Sequence, residues 1–432
     1  MSLKVYKFGG ASVKDASHIY NVSNILTKDK GDQIFVIVSA IGKTTNALEI
    51  VFQKYIEEGK EGFLNGMVEI LDAHLDEADK LKLDSAKLQS KLEVIINDCL
   101  VNLERAIKIN KSAVYDQIVS MGELFSTNLL SAYLQSKDLR VAWVDLRKII
   151  ATDDNFQEGC VDIQQVEKNV NDHIKPLFEN VDFVIGQGFI GSAPNGLTTT
   201  LGREGSDYSA ALMAYGLGVD TLTIWKDVPG VLTADPRRFE NVEKLDRMSY
   251  KEAIEMTYYG AQVIHPKTIR PLQNRGISLH VKSFIDPKGE GTIISQDGLL
   301  NYPPLVVIQD DMILMHISSK DFSFIAENHL SQIFSVLNAN QIKLGTMRNS
   351  AISFAICVKN PGQEKLANLI NDLGQNFSLD MYKNLQLITV RYFNKQLIEN
   401  LTKNKVVLFD ERMKYTIQLV VRPSLELIEK EG

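Results

Sequence analysis

The sequence predicts an α/β protein with a helical insert, followed by an α+β tail of ferredoxin-like modules. Three observations carry this reading. Buried-type strands alternate with helices through roughly the first 300 residues. A stretch from about Asn46 to Ile109 breaks the alternation; it is rich in Lys, Glu, Leu and Asp, has no Pro, and spaces its apolar residues as a helix does. The last ~130 residues follow the order β-α-β-β-α-β, which then restarts.

Strand Lys4–Phe8 opens the chain and breaks at Gly9-Gly10. Helix His18–Thr27 follows. The apolar run Gln33–Ala40 has the unbroken Ile/Phe/Val character of a strand buried on both faces. In the insert, Leu92, Ile95, Ile96, Cys99, Leu103 and Ile107 recur at helical spacing, which implies several helices forming a lid beside the sheet. The alternation resumes with helix Glu123–Leu134, strand Arg140–Val144, helix Gln164–Phe178 and strand Asp182–Ile185. A Gly/Thr/Ser segment, 186–206, leads into helix Asp207–Leu217, strand Thr221–Trp225, helix Tyr250–Met256 and strand Ser278–Val281. A Gly- and Pro-rich break at 286–304 precedes the tail. There, strand Met312–Ile317, helix Leu330–Ala339 and strands Ile342–Met347 and Ile352–Val358 come first. Strand Leu385–Tyr392, helix Lys395–Thr402 and strands Lys405–Phe409 and Tyr415–Val421 follow. IFSVLNANQIKL aligns loosely with LIENLTKNKVVL at an offset of 64 residues, a degenerate duplication. The second copy runs out before a full second helix and fourth strand, so it is truncated or completed by another part of the chain.

The 432 residues suffice for two to four domains. A net charge of −7 with 44% hydrophobic residues excludes the disorder signature and argues against a broad basic face for nucleic acid. No apolar run approaches the ~20 residues of a membrane span, and the start MSLKVYKFGGASV has no signal-peptide core. Three widely spaced cysteines, Cys99, Cys160 and Cys357, fit a reducing cytoplasm without a disulfide framework or zinc cluster.

Two motifs point to anion chemistry. Lys7-Phe-Gly9-Gly10 puts a lysine at the carboxyl end of a strand, before glycines whose N–H groups can close on phosphate. Thr198–Ala211 (TTTLGREGSDYSAA) carries Arg203 in a Gly-bracketed loop directly into a helix that Ser206 or Asp207 can cap. An arginine there suits a bidentate grip on a carboxylate. Other motifs are weaker alone. Trp225–Val231 (WKDVPGV) also reads as a plain turn, and Glu123 at a helix start is favourable through the helix dipole without any function. His265-Pro266-Lys267 could contact phosphate or be structural. Three matches are discounted. Gly186-Gln-Gly188-Phe-Ile-Gly191 is not followed directly by a helix, as a dinucleotide site requires. Ser39–Thr44 has Ile37 where a P-loop needs glycine. The sequon Asn21-Val-Ser23 lies in a chain with no export signal. No built-in metal site and no Ser-His-Asp arrangement is legible.

Together the motifs resemble the aspartate kinases of the amino-acid kinase superfamily. The matches are KFGGASV (7–13), VSAIGKTTNAL (38–48), SMGELFST (120–127), GQGFIGS (186–192), TTTLGREGSDYSAA (198–211), WKDVPGV (225–231), TADPR (233–237) and YGAQVIHPKT (259–268), in the family's order. The tail is similar to paired ACT modules. The resemblance implies a three-layer sandwich catalytic domain over 1–298 with its lid at 46–118. It implies a regulatory region over 299–432, with modules at about 305–380 and 383–432. It also implies transfer of the ATP γ-phosphoryl group to the β-carboxylate of L-aspartate, with Mg²⁺ carried mostly by ATP and water.

Carried over by motif, Lys7 contacts the transferring phosphate and Gly9-Gly10 hug the phosphates. Asp207 orients Lys7 or substrate, and Arg203 clamps the α-carboxylate of aspartate. Glu123 pairs with its α-ammonium, and Ser39, Thr45 and Ser206 hydrogen-bond substrate or phosphate. Lys226, Asp227, Arg237, Gln262 and Lys267 lie on the nucleotide side. A lysine or threonine effector is expected near His316, Asp321 and Asn349, in a cytoplasmic homodimer paired through the ACT modules. No membrane or nucleic-acid partner is expected. Four positions depart from the family pattern: Glu204 replaces a glycine, Lys226 a threonine, Leu232 a tyrosine and Gln262 a lysine. Glu204 is expected either to weaken the grip of Arg203 or to point to solvent. The charge lost at Gln262 is expected back from Lys226 or Lys267. The competing readings are another amino-acid kinase, acting on acetylglutamate, glutamate or a nucleotide, and a non-catalytic amino-acid sensor. The insert, the Glu123 motif and the tail disfavour the first; retention of Lys7, Arg203, Asp207 and Asp227 disfavours the second. Fusion to a homoserine dehydrogenase is not expected, since no dinucleotide-binding domain follows the tail.

Overall fold

A computed structural model describes residues 2–28, 31–261, 264–299, 301–321 and 323–423. The chain divides into two compact units. The first is Met1–Val231, Lys244–Ile254 and Gln262–Leu299; the second is Leu232–Glu243, Glu255–Ala261 and Leu300–Gly432.

In chain order the first unit contains β1 (Leu3–Phe8), α1 (Ala16–Lys28), β2 (Gln33–Val38), α2 (Thr44–Lys80), α3 (Ser85–Ala106), α4 (Lys111–Val119), α5 (Met121–Gln135), β3 (Val141–Trp143), α6 (Ile163–Asn169), β4 (Phe183–Gln187), β5 (Ile190–Ser192), β6 (Thr198–Thr200), α7 (Gly205–Leu217), β7 (Thr221–Lys226), β8 (Arg247–Ser249), the start of α8 (Tyr250–Tyr258), α9 (Pro266–Arg275), β9 (Ser278–Ser283) and β10 (Thr292–Ser295). Eight strands form one sheet in the order β3-β4-β2-β1-β7-β9-β10-β8. The run from β3 to β9 is parallel, and β10 is antiparallel to β9.

Strand periodicity decides which face each side chain meets. Tyr6, Phe8, Ile34, Val36 and Val38 join Ile19, Val22, Ile25 and Leu26 of α1 and Phe125 and Leu129 of α5 in one core. Val5 and Lys7 alternate to the opposite face, where α7 lies against β1, β2 and β7. Helices therefore cover both faces, which is why QIFVIV has no polar alternation. The insert shares the first core: Leu88, Leu92, Ile96, Cys99 and Leu103 of α3 pack with Met67 and Ile70 of α2. Ile107, expected on that stripe, is exposed. A left-handed Gly59 (φ 66) breaks the long α2.

Some expectations change. The helix expected over 164–178 stops at Asn169 and continues as a wide turn (170–174) and a tight one (175–179). Pro176, at the start of the last turn, has no N–H for an α-helical bond. The Gly/Thr/Ser segment contains the hairpin β5/β6, so the turn at Gly188 opens a hairpin rather than a dinucleotide-binding helix. Asn21 sits within α1 and donates to the Phe284 carbonyl at 2.8 Å. The strands β8 and β10 and the helix α9 were not expected.

The second unit contains β11 (Leu305–Ser319), α10 (Glu327–Ala339), β12 (Leu344–Asn349), β13 (Ser353–Lys359), α11 (Gln363–Gly374), β14 (Phe377–Arg391), α12 (Lys395–Thr402), β15 (Lys405–Arg412) and β16 (Thr416–Pro423). They form an antiparallel sheet in the order β12-β13-β11-β14-β16-β15. The order is a palindrome, as a duplicated module requires: β11, β13 and β12 mirror β14, β16 and β15. Leu305–Gln309 pairs with Leu387–Arg391, so the second repeat receives a strand from upstream of the first. Among the described residues no helix is long and apolar enough to cross a membrane.

Candidate active site

The parallel strands β4, β2, β1 and β7 end side by side at Gln187, Val38, Phe8 and Lys226. Ligands of open α/β sheets bind at this carboxyl edge. Gly10 fits the chain into it. A Cβ there would stand 2.7 Å from the Ala40 carbonyl oxygen and 3.2 Å from that of Gly42. The glycine lets the turn after β1 lie against the loop after β2, where the Gly42 N–H donates to the Gly10 carbonyl at 3.1 Å. Ser39, just after β2, and Thr45, in the first turn of α2, are both half-buried.

Lys7 points from β1 towards α7. Its Nζ lies 2.6 Å from Asp207 Oδ1, and Lys226 Nζ lies 3.9 Å from Oδ2. Burial works to raise the Asp207 pKa, but the charges of Lys7 and Lys226 and the Lys7 hydrogen bond outweigh it and hold the carboxyl below its usual range. The expected cap differs. Neither Ser206 nor Asp207 caps α7; both lie in its first turn, and Glu204 holds the cap position with left-handed backbone (φ 56). Asp207 is directed to Lys7 instead. Ser206 packs on Gly188, where a Cβ would come within 2.4 Å of Ser206 Cβ.

Glu123, in the first turn of α5, is fully buried. Its Oε1 accepts from the Ala40 N–H at 3.3 Å, and its Oε2 has no partner. Burial pushes its pKa up to about 8, against the Ala40 N–H, its own N–H and the charge of Lys7. Arg203 is exposed, with no hydrogen bond or ion pair among the described residues. Glu204 neither pairs with it nor points to solvent: Glu204 Oε2 accepts from the His265 N–H at 2.9 Å.

Two residues missed in the sequence hold this loop from behind. Asp116 Oδ2 accepts from the N–H groups of Thr200 and Gln157 at 2.8 and 2.9 Å, and its Oδ1 from the Thr200 hydroxyl at 2.8 Å. Burial nonetheless pushes its pKa up to about 6. Gln117 bonds the backbone of Thr198 in both directions. The available signal was an Asp-Gln pair inside the otherwise apolar AVYDQIV.

The remaining candidates lie on separate elements. Asp227 is exposed just after β7, and Lys267 is half-buried in the first turn of α9. Arg237 belongs to the second unit and forks onto Asp235, with Nε–Oδ1 3.0 Å and Nη2–Oδ2 2.9 Å. Gln262, and with it the compensation expected from Lys226 or Lys267, lies outside the described residues. Strand register does not gather His316, Asp321 and Asn349. His316 stands opposite Ala355, itself opposite Arg348, while Asn349 stands opposite Phe354. His316 and Asn349 thus face opposite sides of the sheet, and Asp321 is exposed and caps the Ser323 N–H.

Among the described residues this edge brings together a buried Lys-Asp pair, a buried carboxyl oxygen with no partner and an exposed arginine, a set that suits phosphate and a small zwitterionic acid. The comparisons agree. The model of the Amino acid kinase family matches residues 2–283. Lysine-sensitive aspartokinase 3 of Escherichia coli (strain K12) is 31% identical over 361 residues, 83% of this chain and 78% of that protein. The chain covers 47% of the bifunctional aspartokinase/homoserine dehydrogenase of Buchnera aphidicola, at 29% identity. Two crystal structures of E. coli aspartokinase III align at TM-score 0.79. The complex with aspartate and ADP is 26% identical, covering 100% of this chain and 98% of that one. The complex with lysine and aspartate is 27% identical, covering 98% and 96%. The chain belongs to the amino acid kinase family, in its aspartokinase branch.

Proposed function

We propose that this chain transfers the γ-phosphoryl group of ATP to the β-carboxylate of L-aspartate, giving 4-phospho-L-aspartate and ADP, the first step of lysine, threonine and methionine biosynthesis. Glu123 carries the reading. A buried carboxylate with one unpartnered oxygen at the ligand edge calls for a cation, and the α-ammonium of an amino acid supplies it. Arg203 is the matching free cation for the α-carboxylate.

The acceptor carboxyl, with a pKa near 4, is ionised at pH 7 and needs no general base. Its oxygen attacks the γ-phosphorus, the bond to the bridging oxygen breaks with its electrons going to ADP, and no proton moves. Catalysis then rests on positioning and charge. Lys7 neutralises charge on the transferring group, and Asp207, engaged with Lys7 and low in pKa, orients that lysine rather than acting as a base. The Gly9-Gly10 turn presents N–H groups to phosphate, with Lys226, Asp227 and Lys267 on the nucleotide side. Ser39, Thr45 and Ser206 hydrogen-bond substrate or phosphate. Mg²⁺ would be carried by ATP, with phosphate and water oxygens as its ligands.

Purified protein should release ADP with aspartate and far more slowly with glutamate or N-acetylglutamate; preference for glutamate would overturn the assignment. Amino-acid binding without ADP release would mark a sensor. We assign feedback regulation to the second unit, with lysine the first effector to test, because the E. coli relative is lysine-sensitive by name. The sheet's edge strands β12 and β15 expose Met347, Val406 and Val407, which suits edge pairing in a homodimer. We take the enzyme to be cytoplasmic.

A further inference from the structure

The loop from β6 to α7 is held at both ends by carboxylates that are not assigned to any ligand. At one end Asp116 binds the backbone and hydroxyl of Thr200, both at 2.8 Å. At the other end stands Glu204. Its backbone begins α7, accepting from the Asp207 N–H at 3.1 Å, and takes a left-handed φ of 56 that favours glycine. A glutamate persists there with its side chain turned away from the loop, onto the His265 N–H at 2.9 Å. His265 is the cap residue of α9, so the carboxylate sits where a helix N-terminus favours negative charge. Between the two anchors, the Leu201 N–H is bound to the Phe189 carbonyl at 2.8 Å. Arg203 is left exposed and, among the described residues, without a partner.

We infer that Glu204 is a positioning residue: by engaging the start of α9 it fixes the Arg203 loop and keeps its own charge off the neighbouring guanidinium. A loose glutamate beside Arg203 would form the ion pair that substrate must otherwise make. The anchored one leaves Arg203 unpaired on a loop of few remaining conformations, so binding orders little that is not already ordered. The inference rests on the reading that Arg203 grips the α-carboxylate of aspartate.

Three variants test it by steady-state kinetics and thermal melting. Glu204→Gly removes the anchor and relieves the backbone. Its KM for aspartate should rise about fivefold, the scale of one ordinary hydrogen bond, with kcat and the ATP KM within about twofold and no fall in melting temperature. Glu204→Gln keeps an acceptor for the His265 N–H and should stay near the parent. A purely structural role would instead lower the melting temperature of Glu204→Gly and leave the aspartate KM unmoved. An unchanged aspartate KM, or identical behaviour of the two variants, overturns the inference. Arg203→Ala separates the two readings. If it raises the aspartate KM while Glu204→Gly does not, only the role of Glu204 fails. If Arg203→Ala leaves that KM unchanged, both fail.

Discussion

Replacing Glu123 by glutamine is the perturbation whose consequences are most fully determined. Burial raises the carboxyl from its ordinary 4.5 to about 8, so ionising it in the empty site costs about 5 kcal/mol relative to water, at about 1.4 kcal/mol per unit. At pH 7 the free protein therefore holds Glu123 mostly protonated, and an α-ammonium that pairs with the ionised form must expel that proton. Titration calorimetry of aspartate in buffers of different ionisation enthalpy should register close to one proton released at pH 7. Affinity should rise about tenfold per pH unit from pH 6 and level off near pH 8. Glu123→Gln retains an acceptor for the Ala40 N–H but loses the charge. Removing one partner of a buried pair costs about 2–5 kcal/mol, so aspartate should bind at least about thirtyfold more weakly at pH 8, with no proton release. The same group bears on stability without ligand. Because its folded pKa is raised, its contribution is full below pH 4.5 and is lost as pH rises through about 8. Glu123→Gln should flatten that decline in melting temperature. Parental affinity and an unchanged pH profile in the variant would refute the reasoning.

Three further substitutions probe the frame. Lys7→Met should lower kcat by about 10²–10³ while changing the aspartate KM little, since the lost charge acts on the transferring phosphoryl group; a loss confined to KM would argue otherwise. Gly188→Ala drives a Cβ to 2.4 Å from Ser206 Cβ and should cost about 1–3 kcal/mol by overpacking, read as a lower denaturation midpoint, with activity falling as α7 shifts. Asp116→Asn cannot accept from all three donors of Thr200 and Gln157 and should destabilise by about 1–3 kcal/mol. With its pKa raised to about 6, Asp116 stabilises fully below about pH 4 and less as pH rises through 6; the variant should lose that part of the pH dependence.

The fold was legible where a run of residues has one environment. QIFVIV is buried along its length, and α3 repeats its apolar residues by the turn, so pattern and structure coincide. It was illegible where tertiary contact overrides local pattern. The helix α9 (PKTIRPLQNR) is strongly polar and contains Pro271, and β10 lies inside a Gly- and Pro-rich break, so neither carries a periodic signal. The doubled strand β11 carries a local strand signal only in its second half, because its link to the second repeat is a pairing 82 residues distant at Val307↔Thr389. At the site, the motifs supplied Lys7, Arg203, Asp207 and Glu123 as residue types. They did not supply who pairs with whom: the Lys7–Asp207 contact requires β1 to lie under α7, and the partner of Glu204 is a backbone group 61 residues away. Asp116 was invisible for the same reason, since a helical aspartate reads as solvated until the hairpin is placed against it.

The proposed reaction turns a carboxyl group of aspartate into an acyl phosphate at this site. Trapping the product with hydroxylamine tests it most directly, because an acyl phosphate yields a hydroxamate and other phosphate esters do not. With ATP, Mg²⁺ and aspartate, β-aspartyl hydroxamate should form in an amount equal to the ADP released, with both lost in Lys7→Met. ADP without hydroxamate, or hydroxamate formed faster from glutamate than from aspartate, would contradict it.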